Sequence, residues 1–206
     1  MILAELLEWA KPVRERIRAS ENPEAVNVET RLDISAQHVA ASRLGEVLYE
    51  RPEALAVWAS GATVQTAALM MVFANGQTSI DLCATALLRW HGDLPRPGFE
   101  HDFGDLKRRF ADGRVTVSTD QREWFKAVAE SDAGAELLDF RHAILHRVVG
   151  QSATVRPGGQ HSYTISPTTA QPGNEEATVT LGRLAQFAED RWRQFWQALS
   201  FDFPEE

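Results

Sequence analysis

One cysteine, Cys83, stands among 206 residues. With no partner thiol it excludes an internal disulfide and any multi-cysteine zinc site. It fits a reducing compartment, so the expected location is cytoplasmic. Long hydrophobic runs are scarce too. The uncharged segment 54–74 is long enough to span a bilayer, but it is alanine-rich and carries Ser60, Gly61, Thr63, Gln65 and Thr66. It reads as a buried helix, so no membrane association is expected. The stretch Met1 to Leu6 has neither a basic region nor a continuous apolar core, and it does not read as a signal peptide. Positive charge is in deficit: 21 Lys and Arg against 29 Asp and Glu give a formal charge of −8. An acidic total argues against broad coating of DNA and leaves room for a small basic site on one RNA strand. No G-x-S-x-G elbow and no phosphate-binding P-loop is present, and Cys83 sits in too apolar a context for a reactive thiol.

What is present is helix. The hydrophobic fraction, 44%, and six tryptophans are enough for a substantial core in one domain. Leu3, Leu6, Ala10, Val13 and Ile17 recur at helical spacing over 2–19, with Pro12 marking either a kink or a second start. Residues 20–33 are polar and read as a loop, and a helix over 35–50 ends at Arg51-Pro52. A long apolar helix is expected over 53–74, stopped by Asn75-Gly76. A second over 79–91 folds back as an antiparallel hairpin. That second helix is apolar nearly all round, except for a strip of Asp81, Thr85 and Arg89 at intervals of four.

After a loop over 92–102, a short basic helix spans about 103–111. A helix capped by Thr119 or Asp120 carries Trp124, Phe125 and Val128. A further helix runs from Ser131 or Asp132 to Gly150. Composition then changes. Ala153-Thr154-Val155, Tyr163-Thr164-Ile165 and Thr178-Val179-Thr180-Leu181 are β-branched runs separated by Pro157-Gly158-Gly159 and by a loose loop from Pro167 to Glu176. They predict a small hairpin of two or three strands inserted near 152–181. A closing helix over 183–200 carries Leu184, Phe187, Ala188, Trp192, Phe195, Trp196 and Leu199 on one face. The fold class is all-α, an up-and-down helical bundle with this small β insertion, forming a single domain over 1–206.

One stretch misfits its surroundings: Asp139-Phe140-Arg141-His142-Ala143-Ile144-Leu145-His146-Arg147. On a helical wheel, Leu137, Leu138, Ile144, Leu145, Val148 and Val149 form an apolar arc with Arg141 near its middle. His142 and His146, four apart, lie at its edge. A guanidinium within an apolar stripe needs a partner, because an unpaired buried charge costs several kcal/mol. Asp81 is the first intramolecular candidate; a second chain or an anionic ligand would also serve.

Arg141 and His146 form an R-x4-H pattern with a polar residue, His142, directly after the arginine, late in an all-helical chain. In this the chain resembles HEPN domains, helical bundles marked by R-x4-6-H. The resemblance covers the bundle from about 53 to 149 and the closing helix. It implies metal-independent endoribonuclease chemistry of toxin or defence type, at a composite site of a homodimer. RNA would be the substrate and an antitoxin protein a possible partner, with no cofactor. Arg141 and His146 carry over as site residues, His142 matches the polar position, and Asp81 carries over less directly. Histidine titrates near neutrality and can move a proton from a ribose 2′-OH or to the leaving oxygen. Arginine can stabilise charge developing on phosphorus. Five positions turn a helix by about 140° from Arg141 to His146, so two helices across a two-fold axis would converge the groups more readily than one.

Other readings stay open. Some HEPN domains are non-catalytic modules, and this chain could bind a protein or nucleotide partner through the same groove. A lone Arg–His pair in a core helix also reads simply as an ion-paired arginine and a half-exposed histidine. His142 and His146 are spaced to bind a metal, with a third ligand needed from His38, His91, His101 or a carboxylate. Lys107-Arg108-Arg109 with Arg114 could guide a phosphate backbone or form a solvated helix face.

Overall fold

The computed structural model describes residues 2–55, 59–94, 101–146, 150–155, 161–167 and 175–200. Eight helices lie among them: α1 (Ile2–Trp9), α2 (Lys11–Ala19), α3 (Ala25–Glu50), α4 (Gly61–Trp90), α5 (Phe103–Ala111), α6 (Thr119–Ala129), α7 (Asp132–His146) and α8 (Ala177–Ser200). A 3₁₀ turn covers Pro52–Leu55. Two strands, β1 (Gly150–Val155) and β2 (His161–Ser166), pair antiparallel with Gly150 opposite Ser166 and Val155 opposite His161. The chain is therefore all-α with a minor hairpin. No helix among the described residues is long and apolar enough to cross a membrane.

The chain divides into two compact units. The first comprises Met1–Ala40, Thr78–Ser131 and Ala188–Glu206; the second comprises Ala41–Gln77 and Asp132–Phe187. Helices α3, α4 and α8 each contribute one part to each unit.

In the first unit, Pro12 marks a second start: it occupies the first turn of α2, where a missing N–H leaves no bond unmade. Leu6, Ala10, Val13 and Ile17 are buried as their spacing requires. Helix α3 begins ten residues before the expected start at 35. Asn22 caps the turn before it, its side chain accepting the Glu24 N–H at 2.9 Å. Val28, Leu32, Ser35, Ala36 and Val39 then form a buried stripe that the polar composition of 20–33 concealed. Trp124, Trp192, Phe195 and Trp196 fill the core. Two of the indoles are satisfied there: Trp192 Nε1 donates to Ser35 Oγ at 2.7 Å and Trp124 Nε1 to the Arg191 carbonyl at 2.9 Å.

Helices α4 and α5 both end in paired hydrogen bonds closed by a left-handed glycine. Asp93 N–H reaches Leu88 O and Gly92 N–H reaches Arg89 O; Arg114 and Gly113 repeat the pattern on Arg109 and Phe110. Gly92 and Gly113 have φ of 78° and 65°, which only glycine adopts without strain.

In the second unit, Val64, Ala68, Leu69, Val72 and Phe73 of α4 are buried, as are Leu137, Phe140 and Ala143 of α7 and Leu181, Leu184 and Ala185 of α8. Ser42 Oγ of α3 donates to the Val72 carbonyl at 3.1 Å. Close by, a Cβ on Gly45 would lie 2.8 Å from the Ala68 carbonyl oxygen and 2.8 Å from Met71 Cβ. Glycine at 45 therefore permits backbone-to-backbone approach of the two helices.

Further expected boundaries are corrected. Asn75-Gly76 does not stop a helix; α4 runs through it to Trp90. Gly76 does not take the left-handed conformation a stop requires. Instead the Asn75 side chain donates back to the Met71 carbonyl at 3.0 Å. Burial of Val72, Phe73, Gln77, Ser79 and Ile80 on either side outweighs the roughly 1 kcal/mol that a helical glycine costs. The unit boundary within α4 still falls at 77–78, next to that dipeptide.

Another correction concerns Thr178-Val179-Thr180-Leu181, which is the opening of α8 and not a third strand. Ala177, Leu181, Leu184 and Ala185 are buried at helical spacing, and packing overrides the β preference of the run. A single bridge from Thr164 to Glu176 is the third neighbour the hairpin obtains. Likewise Gly150, the expected end of α7, opens β1. Trp58, the Pro95–Gly98 loop, Val148, Val149, the Pro157–Gly159 turn and most of the Pro167–Glu176 loop lie outside the described residues.

Candidate functional site

Helix α7 opens with Asp132 in its first turn, where a carboxylate complements the positive end of the helix dipole. Its buried stripe is Leu137, Phe140 and Ala143, at intervals of three. Phe140 stacks on Phe73 of the same unit, with centroids 4.3 Å apart and planes within 5°. The expected arc is thus rotated. Phe140 occupies its centre, Leu138 is exposed, and Arg141 lies at its margin, half-buried. The phenyl ring has the larger apolar area and takes the core, which leaves the guanidinium at the boundary with solvent. His142 is exposed. His146 is the last residue of α7, and its side chain lies outside the described residues.

Asp81 belongs to the first unit and Arg141 to the second. Within its own unit, Asp81 Oδ1 accepts the Phe103 N–H at 3.1 Å, satisfying a donor in the first turn of α5. Thr85 Oγ1 bonds the Asp81 carbonyl at 3.0 Å and also donates to the His101 carbonyl. Arg89 pairs with Glu24 at 2.9 Å. The polar strip Asp81–Thr85–Arg89 is therefore aimed at polar groups of its own unit and not at bulk water.

Beside it lies a cluster that sequence spacing did not reveal. The His101 side chain is only 9% exposed; its Nδ1 is 3.4 Å from Asp105 Oδ2 and its Nε2 4.0 Å from Asp93 Oδ1. Arg109 pairs with Asp93, and Arg108 with Asp105. Asp105 also closes a capping box with Asp102 at the start of α5. Partial burial pushes the Asp105 carboxyl up. Hydrogen bonds from Arg108, the Asp102 backbone and His101 more than offset that and hold it below the ordinary carboxylate value. These residues come from 93–109, a span too irregular for a periodic pattern to mark.

The basic run is largely consumed in the same way. Arg108 and Arg109 are ion-paired, and Arg114 sits 3.5 Å from Asp112. His91 Nε2 lies 3.1 Å from Gln121 Oε1. Among the described residues no group of three or more His, Cys, Asp or Glu side chains is placed to hold a metal ion. Full burial pushes the Cys83 thiol well above its ordinary value, with the nearby Asp81 charge adding to the effect. That fits a packing role in α4 and not a nucleophile. No protein-family model, no curated protein and no solved structure matches the chain.

Proposed function

We propose that the protein is a metal-independent endoribonuclease of toxin or defence type, resembling HEPN domains, with a composite site built from α7 of two protomers. The observation that carries the reading is the placement of Arg141. It shares α7 with His146 five positions away, and it stands half-buried at the margin of the Leu137–Phe140–Ala143 stripe. A margin position holds a guanidinium in a partly desolvated setting, where its charge acts more strongly on a phosphate than in open water.

In this reading the RNA 2′-hydroxyl is the nucleophile. It attacks the adjacent phosphorus, the bond to the 5′-oxygen breaks, and a 2′,3′-cyclic phosphate remains. His146 moves the proton as base or acid, Arg141 stabilises the charge on the non-bridging oxygens, and the exposed His142 orients the pair. Asp81 shares this orienting role with His142.

The test is cleavage of a mixed RNA pool in the presence of chelator. Wild type cuts; Arg141→Ala and His146→Ala each lose at least about a hundredfold in rate while circular dichroism stays unchanged. Equal cleavage by all three proteins overturns the assignment. The second reading is a non-catalytic helical module that binds a protein or nucleotide partner. The exposed His142 next to a half-buried Arg141 favours it equally as a clamp on an anion, and it predicts binding without product in the same assay.

A further inference from the structure

Helices α5 and α6 of the first unit enclose an open groove of about 430 Å³, lined by Lys107, Phe110, Arg122, Phe125, Lys126 and Glu130 among others. Helical spacing builds it. Arg122 and Lys126 are four apart on α6 with Phe125 between them, and Lys107 and Phe110 are three apart on α5. Phe110 and Phe125 are stacked, with centroids 4.1 Å apart and planes 1° apart, and Phe125 stacks in turn on Phe103 at 5.5 Å. The three rings form a ladder. Among the described ring contacts Phe110 has only Phe125 as neighbour, so it ends the ladder within the groove wall, half-buried.

Three exposed cations surround that end: Lys107, Arg122 and Lys126. Lys126 makes an exposed pair with Glu123 at 3.1 Å, the kind of contact that exchanges readily for another anion. Glu130 is the one acid in the lining. In a chain whose formal charge is −8, this is a local reversal of sign. An aromatic face flanked by spaced cations matches an unstacked base with phosphates on either side. An acidic peptide would use the cations but not the ring. A duplex keeps its bases stacked on each other and has none to offer.

Resting on the ribonuclease reading for the choice of RNA over DNA, we infer that the α5–α6 groove is a binding site for single-stranded RNA, with one base stacked on Phe110 and phosphates held by Lys107, Arg122 and Lys126. The groove holds the strand; the chemistry belongs to α7.

The experiment uses a fluorescent 2′-O-methyl RNA decamer, which a 2′-hydroxyl mechanism cannot cut, bound to the full-length protein by anisotropy across a salt series. Wild type binds it in preference to the same sequence as duplex, and polyglutamate displaces it poorly. Phe110→Leu, which keeps apolar bulk, weakens binding about tenfold, within the range of one lost base–aromatic stack. The triple replacement of Lys107, Arg122 and Lys126 by Gln, all at exposed positions, lowers the slope of log affinity against log salt by about two. Equal binding by wild type and the triple variant, or displacement by polyglutamate as effective as by RNA, overturns the inference. Should groove-dependent binding persist where no RNA is ever cut, the groove stands and the nuclease reading falls. Should cleavage be seen with binding indifferent to these substitutions, the reverse holds.

Discussion

Phe140 and Phe110 are both stacked phenyl rings, one in each compact unit, and they differ in what surrounds them. Phe140 is fully buried against Phe73, and the residue that follows it, Arg141, stands at the margin of the stripe that Phe140 centres. Phe110 is half-buried at the end of a ladder, with Lys107, Arg122 and Lys126 sharing its groove. A fully enclosed ring fixes position, and the polar groups beside it inherit that rigidity. A ring with an open face contributes less to stability and offers a surface for another ring. The same distinction separates the two kinds of chemistry proposed: α7 places reacting groups, and α5–α6 holds a strand.

This contrast can be broken most directly by truncating each ring. Phe140→Ala is expected to cost about 3–5 kcal/mol, the usual range for emptying a fully buried aromatic site, and to lower the urea midpoint accordingly. Phe110→Ala is expected to cost less, about 1–2 kcal/mol, since part of the residue is already in contact with water. Equal losses in the two variants would mean that Phe110 is a core residue like Phe140 and presents no face to a ligand.

A smaller effect sharpens the picture of α5. The Asp105 carboxyl is held below its ordinary value of 3.8 by its hydrogen bonds, against the opposing effect of burial. A carboxyl lowered on folding stabilises the folded state fully above its unfolded value, and that contribution is lost as pH falls through the folded value. Wild type and Asp105→Asn should therefore differ in thermal stability above pH 3.8 and converge below it. A difference that grows on acidification would contradict the network drawn around Asp102, Arg108 and His101.

How much of this was legible in the chain depends on what set each feature. Helices with a clean apolar stripe announced themselves: Leu6, Ala10, Val13 and Ile17 in the first pair, and Leu184 through Leu199 in the last. The hairpin was legible from Thr154-Val155 and Tyr163-Thr164-Ile165, whose short β-branched runs pair as strands. Local rules failed where packing opposed them. Asn75-Gly76 carries the chemistry of a stop, yet buried residues on both sides keep the helix going. Thr178-Val179-Thr180 carries β-branched chains, yet Ala177 and Leu181 are buried at helical spacing.

The wheel of α7 centres its arc on Arg141, whereas in the fold Phe140, the largest apolar group in the segment, takes the centre. The R-x4-H pattern of Arg141 and His146 is a property of neighbouring residues and could be seen without a fold. The groove could not. Arg122, Lys126 and Phe110 meet only once α5 and α6 pack, and the conspicuous run Lys107-Arg108-Arg109 proved to be mostly ion-paired, with Lys107 alone in the groove lining. The His101 cluster draws on Asp93 and Asp105 through turns and caps that no period describes.

The composite site is the central claim of the nuclease reading, and complementation between inactive chains tests it most directly. Arg141→Ala and His146→Ala proteins, each inactive alone, are co-refolded in equal amounts and assayed on RNA with chelator present. If Arg141 of one protomer works with His146 of the other, every mixed dimer regains one intact site, and the mixture recovers about a quarter of the wild-type rate. If the mixture stays as inactive as its components while mixed dimers are shown to form, each chain must supply both groups to its own site, and the two-protomer account is wrong.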